Sequence, residues 1–87
     1  MKREQISKNI VADLKELAAL TSDADGAQRV AWTPTFKKAT EWFTQKMQAA
    51  GADVWTDAAG NSWAKFAGES KECIVIGSHL DSVPDGG

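Results

Sequence analysis

The sequence contains one cysteine, one histidine and no tyrosine. A single cysteine excludes an internal disulfide and is typical of proteins in a reducing compartment, so we expect the chain to be cytoplasmic. Structural zinc sites take four ligands, most of them cysteine or histidine. Since it has one residue of each type, this chain alone cannot complete such a site.

Long apolar runs and an excess of one charge are also missing. No apolar stretch approaches the length of a membrane span, and residues 1–10 lack the apolar core of a signal peptide. The 10 basic and 12 acidic residues are interspersed, and the net charge is -2. Because this leaves no basic stripe for nucleic acid and no polybasic segment for a membrane surface, we predict neither partner.

The remaining composition is that of a small globular domain. The 87 residues are 43% apolar and 25% charged, which are ordinary proportions for a folded protein. At this length a single core is only marginally sufficient. Four tryptophans and three phenylalanines are many large side chains for so small an interior. We therefore expect some of the tryptophans to pack against material outside this chain.

Two segments have the apolar period of a helix. In residues 3–20 the apolar side chains recur at spacings of four, four and three, which predicts an amphipathic helix bounded by a turn at 22–26. A second helix is predicted to begin at Thr33-Pro34, a hydroxyl N-cap followed by proline in the first turn, and to end at Gly51 in a left-handed C-cap. The two stripes are Ile6, Ile10, Leu14 and Leu17 in the first helix, and Phe36, Ala39, Phe43, Met47 and Ala50, predicted to be buried, in the second.

The second half of the chain has the pattern of strands. Residues 53–57 and 62–67 alternate around a turn at 58–61, which predicts a hairpin. The continuous apolar run Cys73–Ile76 predicts a strand covered on both faces, with the cysteine as a buried thiol. We therefore predict an α/β fold in which two helices pack on a small three-stranded sheet.

The residues with the clearest chemical potential follow that third predicted strand, in Gly77-Ser78-His79-Leu80-Asp81. Residues two apart on extended backbone project to the same side, so the Asp81 carboxylate can lie beside the His79 imidazole. A carboxylate in that position can orient the ring and raise its basicity toward a metal. Spacing alone leaves two interpretations open, a surface hydrogen-bonded pair and a single metal ligand.

The segment Ile74–Gly87 closely resembles the first metal-site motif of the hydantoinase/carbamoylase branch of the peptidase M20 superfamily. That branch includes N-carbamoyl-L-amino acid hydrolases, allantoate amidohydrolases and beta-ureidopropionases. Arg29–Pro34 resembles the entry to the family's second helix, Trp42–Gly51 resembles that helix, and Asp57–Asn61 resembles its Asp-x-x-Gly-Asn hairpin. The resemblance covers about the whole chain, so residues 1–87 are interpreted as the N-terminal part of a catalytic, metal-binding domain.

The resemblance implies roles for two residues. His79 would ligate one of two metal ions, zinc or in some members manganese, nickel or cobalt, and Asp81 would be the catalytic residue that braces the imidazole. The implied activity is metal-assisted hydrolysis of N-carbamoyl amino acids or related small ureido or amide substrates. In the family the remaining ligands, the general base and a lid domain follow Gly86-Gly87. We therefore expect this chain alone to be inactive and to hold no metal stably.

Other interpretations remain for the chain and for individual residues. The alternative function is a non-catalytic interaction or structural module, or a truncated reading frame that self-associates; in either case exposed apolar surface favours a homo-oligomer. Asp57, Gly60 and Asn61 are predicted to serve the hairpin turn rather than a site. We favour a loop anchor over a substrate contact for Arg29, and we do not assign Asp85 as a metal ligand.

Overall fold

The order of elements along the chain is helix, hairpin, helix, hairpin. The computed structural model describes residues 2–87. Its elements are α1 (Arg3–Thr21), β1 (Ser22–Asp23), β2 (Gly26–Ala27), α2 (Pro34–Ala49), β3 (Asp53–Thr56) and β4 (Ser62–Lys65). The strands form two antiparallel two-stranded sheets, β1 with β2 and β3 with β4. The predicted mixed α/β class and both predicted helices are confirmed.

Helix α1 packs against the rest of the fold mainly near its C-terminal end. Leu17 is 6% exposed and Thr21 is buried, whereas Ile6, Ile10, Val11 and Leu14 are exposed, the last at 60%. The helix forms where the apolar period of the sequence predicts it, but most of its apolar stripe faces solvent. No helix in residues 2–87 is both long enough and apolar enough to cross a membrane.

Helix α2 begins and ends where its capping residues predict. The Thr33 hydroxyl oxygen accepts a hydrogen bond from the Phe36 amide at 3.2 Å, and Pro34 occupies the first helical position. At the other end Gly51 has a φ of 96°, and the amides of Gly51 and Ala52 donate to carbonyls of the last turn. This is the left-handed cap that glycine favours because it lacks a Cβ.

The core lies where α2 meets its neighbours and is small. Its buried apolar residues are Leu17, Ala39 and Ala52. Along the predicted stripe of α2, only Ala39 is fully buried, since the larger side chains at 36, 43 and 47 are partly exposed. Ala50, which the periodicity assigns to the buried face, is exposed because it is the C-cap, where the chain leaves the helical path.

Polar contacts join the exposed edges of the two helices. The Trp42 indole donates to Glu16 at 2.9 Å, and the Lys46 ammonium lies 3.2 Å from Glu16 and 3.4 Å from Asp13. The indole hydrogen bond, followed by that from Lys46, lowers the pKa of Glu16. Because these groups are exposed, the contacts fix the alignment of the helices more than they stabilise the fold.

The hairpin of β3 and β4 is built around a pair of tryptophans. Trp55 lies opposite Trp63 in the register, and their rings are stacked with centroids 6.1 Å apart and planes 7° from parallel. Cross-strand aromatic pairs of this kind stabilise two-stranded sheets. The side chains of Trp55 and Trp63 remain partly exposed, and Trp32 is 83% exposed. That some tryptophans pack against material outside this chain stays a prediction.

The predicted third strand is not among the strands of residues 2–87. The segment Cys73–Ile76 has no regular secondary structure and pairs with neither sheet, and Ile74 and Ile76 are each 93% exposed. The prediction of a buried Cys73 thiol is wrong, since that side chain is exposed. An apolar run reports hydrophobicity alone; a strand also needs a neighbouring backbone to accept and donate its hydrogen bonds.

Candidate functional site

His79 and Asp81 face each other across a single intervening residue. The imidazole Nδ1 lies 3.0 Å from Asp81 Oδ1 and 3.1 Å from the Asp81 backbone carbonyl oxygen. The two side chains are 79% and 45% exposed. The spacing therefore brings the carboxylate beside the ring, as the extended backbone predicts, although the segment that carries them is not paired in a sheet.

This geometry determines which ring nitrogen carries the proton in neutral His79. Both groups next to Nδ1 are acceptors, a carbonyl oxygen and a carboxylate oxygen, so Nδ1 must be the donor. The neutral ring then has its lone pair on Nε2. Of the two ring nitrogens, only Nδ1 has a hydrogen-bond partner within residues 2–87, and the side chain as a whole is 79% exposed, so Nε2 is available as an acceptor.

The loop that carries this pair is tied to the chain after α1. Ala27 and Gly86 exchange two backbone hydrogen bonds, at 2.7 and 2.9 Å. Next to them the Gln28 side chain donates to the Asp85 carboxylate at 2.7 Å and accepts from the Asp85 amide at 3.1 Å. The Gln28 side chain thus contacts both the carboxylate and the amide of Asp85.

Arg29 completes this connection with its side chain. Its Nε donates to the Leu80 carbonyl at 2.9 Å, and its Nη1 donates to the Thr21 hydroxyl oxygen at 3.1 Å. Its backbone amide donates to the Ser82 hydroxyl at 3.0 Å. The interpretation of Arg29 as a loop anchor is confirmed by these contacts.

An open groove of about 560 Å³ runs beside the pair. Its walls are aromatic and polar side chains of α2, the turn and start of β4, and the segment 75–81. His79 and Asp81 lie at its lining. A volume of this order suits a small organic molecule.

The residues present fit one metal ligand but not a complete site. An exposed histidine ring that is braced at Nδ1 and has Nε2 unpaired is the arrangement found for histidine ligands. Within residues 2–87, however, no three His, Cys, Asp or Glu side chains converge closely enough to hold an ion. Among residues 2–87 the candidate metal ligand is therefore the His79 imidazole.

Asp57 organises the turn between β3 and β4. Its carboxylate accepts hydrogen bonds from the Ala59 and Asn61 amides, the Asn61 side chain and the Trp63 indole, all at 2.9–3.0 Å. These contacts, with the Trp63 indole first among them, lower the pKa of Asp57 from 3.8 to about 2. All four donors lie within the hairpin itself, which supports the structural role predicted for Asp57 and Asn61.

Acidification is expected to loosen this turn. The donors favour the charged carboxylate, so they stabilise the hairpin fully above pH 3.8, and this contribution is lost as the pH falls through about 2. The Trp63 indole N–H resonance, followed by NMR, should therefore titrate with a midpoint near 2. In an Asp57→Asn variant the transition should vanish. A midpoint near the ordinary value in the unmodified chain would contradict the hydrogen-bond network.

Several residues that hold the candidate site were not singled out from the sequence. Ser82 and Gln28 support the loop through contacts that span 53 and 57 residues, and Thr21 supports it through a contact with Arg29, eight positions away. A hydroxyl or amide side chain carries no local pattern that reveals such a partner. Alternation and periodicity report only near neighbours.

Comparison with known proteins gives relatives of one kind. No protein-family model matches the chain, and no solved structure matches it significantly. It is 34% identical over 83 residues to an N-carbamoyl-L-amino-acid amidohydrolase of Paenarthrobacter aurescens, covering 93% of this chain and 20% of that protein. It is 39% identical over 80 residues to allantoate deiminase 1 of Glycine max, covering 88% of this chain and 16% of that protein.

A bacterial allantoate amidohydrolase, from Escherichia coli strain K12, is 30% identical over 66 residues, which is 74% of this chain and 16% of that enzyme. The chain thus spans about a fifth or less of the length of these relatives. The similarity extends over most of its own length and agrees with the resemblance of its motifs. The chain is a homologue of a segment of the N-carbamoyl-L-amino-acid and allantoate amidohydrolases.

Proposed function

We propose that this chain is part of a metal-dependent amidohydrolase that cleaves a C–N bond of N-carbamoyl amino acids or related ureido or amide compounds. In this proposal His79 is a metal ligand and Asp81 is the residue that braces it. The observation that carries the proposal is the contact between Nδ1 and the Asp81 carboxylate at 3.0 Å, which leaves Nε2 without a partner among residues 2–87, on a largely exposed ring. The homologues, which are named for this activity, support the substrate class.

Each residue of the pair has a definable task. Asp81 holds the proton of the imidazole at Nδ1 and fixes the plane of the ring, so that the Nε2 lone pair has one direction. His79 would hold zinc, or manganese, nickel or cobalt, through that lone pair. When bound, such an ion supplies Lewis acidity and lowers the pKa of water. The adjoining groove gives a small ureido or amide substrate a place beside the ligand.

The rest of the site would come from residues other than those described. No group of three candidate ligands converges within residues 2–87, so we propose that the 87-residue chain alone binds metal weakly and does not catalyse hydrolysis. We also propose a cytoplasmic location, because the one thiol is exposed and unpaired with another cysteine.

One observation favours the alternative of a self-associating module. Ile74, Val75 and Ile76 form an exposed apolar run that a second copy of the chain would cover. A homo-oligomer is compatible with either function. The two functions are distinguished by whether Nε2 of His79 binds a metal ion, since a module without metal chemistry has no need for an oriented imidazole.

The proposal is tested by titrating the chain with zinc and following the two ring nitrogens of His79 by ¹⁵N NMR. A Cys73→Ser background keeps the exposed thiol from competing for zinc. We expect zinc to shift Nε2 and to leave Nδ1 protonated, and we expect no hydrolysis of an N-carbamoyl amino acid. Asp81→Asn should weaken zinc binding by about tenfold, because the bracing charge is lost.

Two further variants make the result decisive. His79→Ala should remove the zinc response, whereas Asp85→Asn, a control that changes a carboxylate paired with Gln28, should preserve it. Equal zinc binding with and without His79, or coordination through Nδ1, would overturn the proposal.

A further inference from the structure

We propose that Arg29 is a positioning residue for the His79–Asp81 pair, acting through the two peptide units on either side of Asp81. The inference rests on the proposed function in so far as the pair serves a metal. Its structural basis is independent of any metal, because it consists of hydrogen bonds between residues of this chain.

The first peptide unit is held by the side chain of Arg29. Its Nε donates to the Leu80 carbonyl at 2.9 Å, and that carbonyl belongs to the same planar unit as the Asp81 amide. The other end of the guanidinium is fixed at Thr21, whose buried hydroxyl also donates to the Leu17 carbonyl at 2.7 Å. These contacts fix the position of the loop relative to the last turn of α1.

The second peptide unit is held by the backbone of Arg29. The Ser82 amide donates to the Arg29 carbonyl at 2.8 Å, and this amide shares its plane with the Asp81 carbonyl. That same Asp81 carbonyl lies 3.1 Å from His79 Nδ1. The Arg29 amide in turn donates to the Ser82 hydroxyl at 3.0 Å. Arg29 therefore sets the direction of one of the two oxygens that keep the proton on Nδ1.

Little else restrains His79. Its side chain is 79% exposed, its only polar partner within residues 2–87 is Asp81, and the preceding apolar segment is itself exposed. An imidazole on such a loop has a defined tautomer only if the two oxygens of Asp81 are held in place. The fork of Arg29, which reaches two acceptors at once, meets that need with geometry that a single ammonium cannot reproduce.

The test compares Arg29→Gln with Arg3→Gln, since Arg3 is the other arginine of the sequence and its exposed side chain makes none of these contacts. The readout is the ratio of Nδ1–H to Nε2–H tautomers of neutral His79, from ¹⁵N chemical shifts, together with hydrogen exchange at the Ser82 amide. We expect Arg29→Gln to lower the ratio by up to about tenfold, the effect of losing the charge-assisted hydrogen bond to Leu80. It should leave protection at Ser82 largely unchanged, because the acceptor of that amide is the Arg29 backbone carbonyl. Arg3→Gln should change neither.

Arg29→Lys keeps the charge and the aliphatic stem, so it addresses the case in which Arg29→Gln does not fold. Its tautomer ratio is expected to lie below that of the unmodified protein, because one ammonium cannot hold both acceptors in the same way. It should lie above that of Arg29→Gln or, if that variant does not fold, above that of the unfolded chain. If Arg29→Gln folds and retains the tautomer ratio of the unmodified chain, the positioning role is overturned. If Arg29→Gln does not fold, the same result for Arg29→Lys overturns it. If the unmodified chain itself lacks the Nδ1–H form, the proposed function loses its basis, so the two failures are distinguishable.

Discussion

Replacing Leu17 with alanine is expected to lower the free energy of unfolding by about 3 kcal/mol. Leu17 is 6% exposed and is the only large side chain among the three buried apolar residues of the described fold. Its removal leaves a cavity between α1 and the elements that cover it, and alanines at 39 and 52 are too small to fill it. Since small domains have a total stability of roughly 5–15 kcal/mol, this one change removes a large share.

Leu14→Ala is the matched control, because it deletes the same atoms from the same helix. Leu14 is 60% exposed, so its truncation should cost below about 1 kcal/mol. Urea unfolding followed by circular dichroism measures both variants, and the change in helix propensity is the same in each because both replace leucine by alanine. Equal losses at the two positions would show that the buried contact of Leu17 does not stabilise the fold.

Gly26→Ala is expected to have a second large effect, of about 3 kcal/mol, through the backbone. Gly26 has a φ of 126°, which residues with a Cβ rarely adopt. An added Cβ would collide with the Gly86 carbonyl oxygen and lie 3.1 Å from the Asp85 carbonyl carbon. That oxygen accepts the Ala27 amide, so the collision would force apart the bridge that ties the His79 loop to the chain after α1. Hydrogen exchange at the Ala27 amide, with the unfolding free energy, measures the loss.

Gly51→Ala separates the collision from the conformational strain. Gly51 also has a positive φ, 96°, but a Cβ there meets nothing within 4 Å. Its replacement should cost about 1–2 kcal/mol, the strain of a left-handed residue alone, and should leave exchange at Ala27 unchanged. If Gly26→Ala cost no more than Gly51→Ala and preserved the bridge, the close approach of Gly86 would not matter energetically.

Features that depend on neighbouring residues could be predicted from the sequence. The boundaries of α2 followed from Thr33, Pro34 and Gly51 because each acts through backbone groups within one helical turn. The hairpin turn followed in the same way from Asp57 and Asn61, whose hydrogen bonds stay within the turn and its flanking strands. The proximity of His79 and Asp81 likewise needed only their spacing.

Features that depend on distant partners could not be predicted. The apolar run at 73–76 has the composition of a covered strand, yet nothing local to it determines whether another backbone lies alongside. The same limit applies to the support of the site. Contacts of Arg29 with Leu80 and Ser82 span 51 and 53 residues, and only the folded path of the chain after α1 brings them together.

The exposed thiol of Cys73 has a consequence for how this chain behaves in air. Because the sequence has one cysteine, an oxidised disulfide can form only between two molecules, and it can join no more than two. Oxidation therefore gives at most a covalent dimer, in which the disulfide lies six positions before His79. Reducing agent distinguishes this pair from any assembly held by apolar contacts, since only the disulfide-linked species returns to single chains.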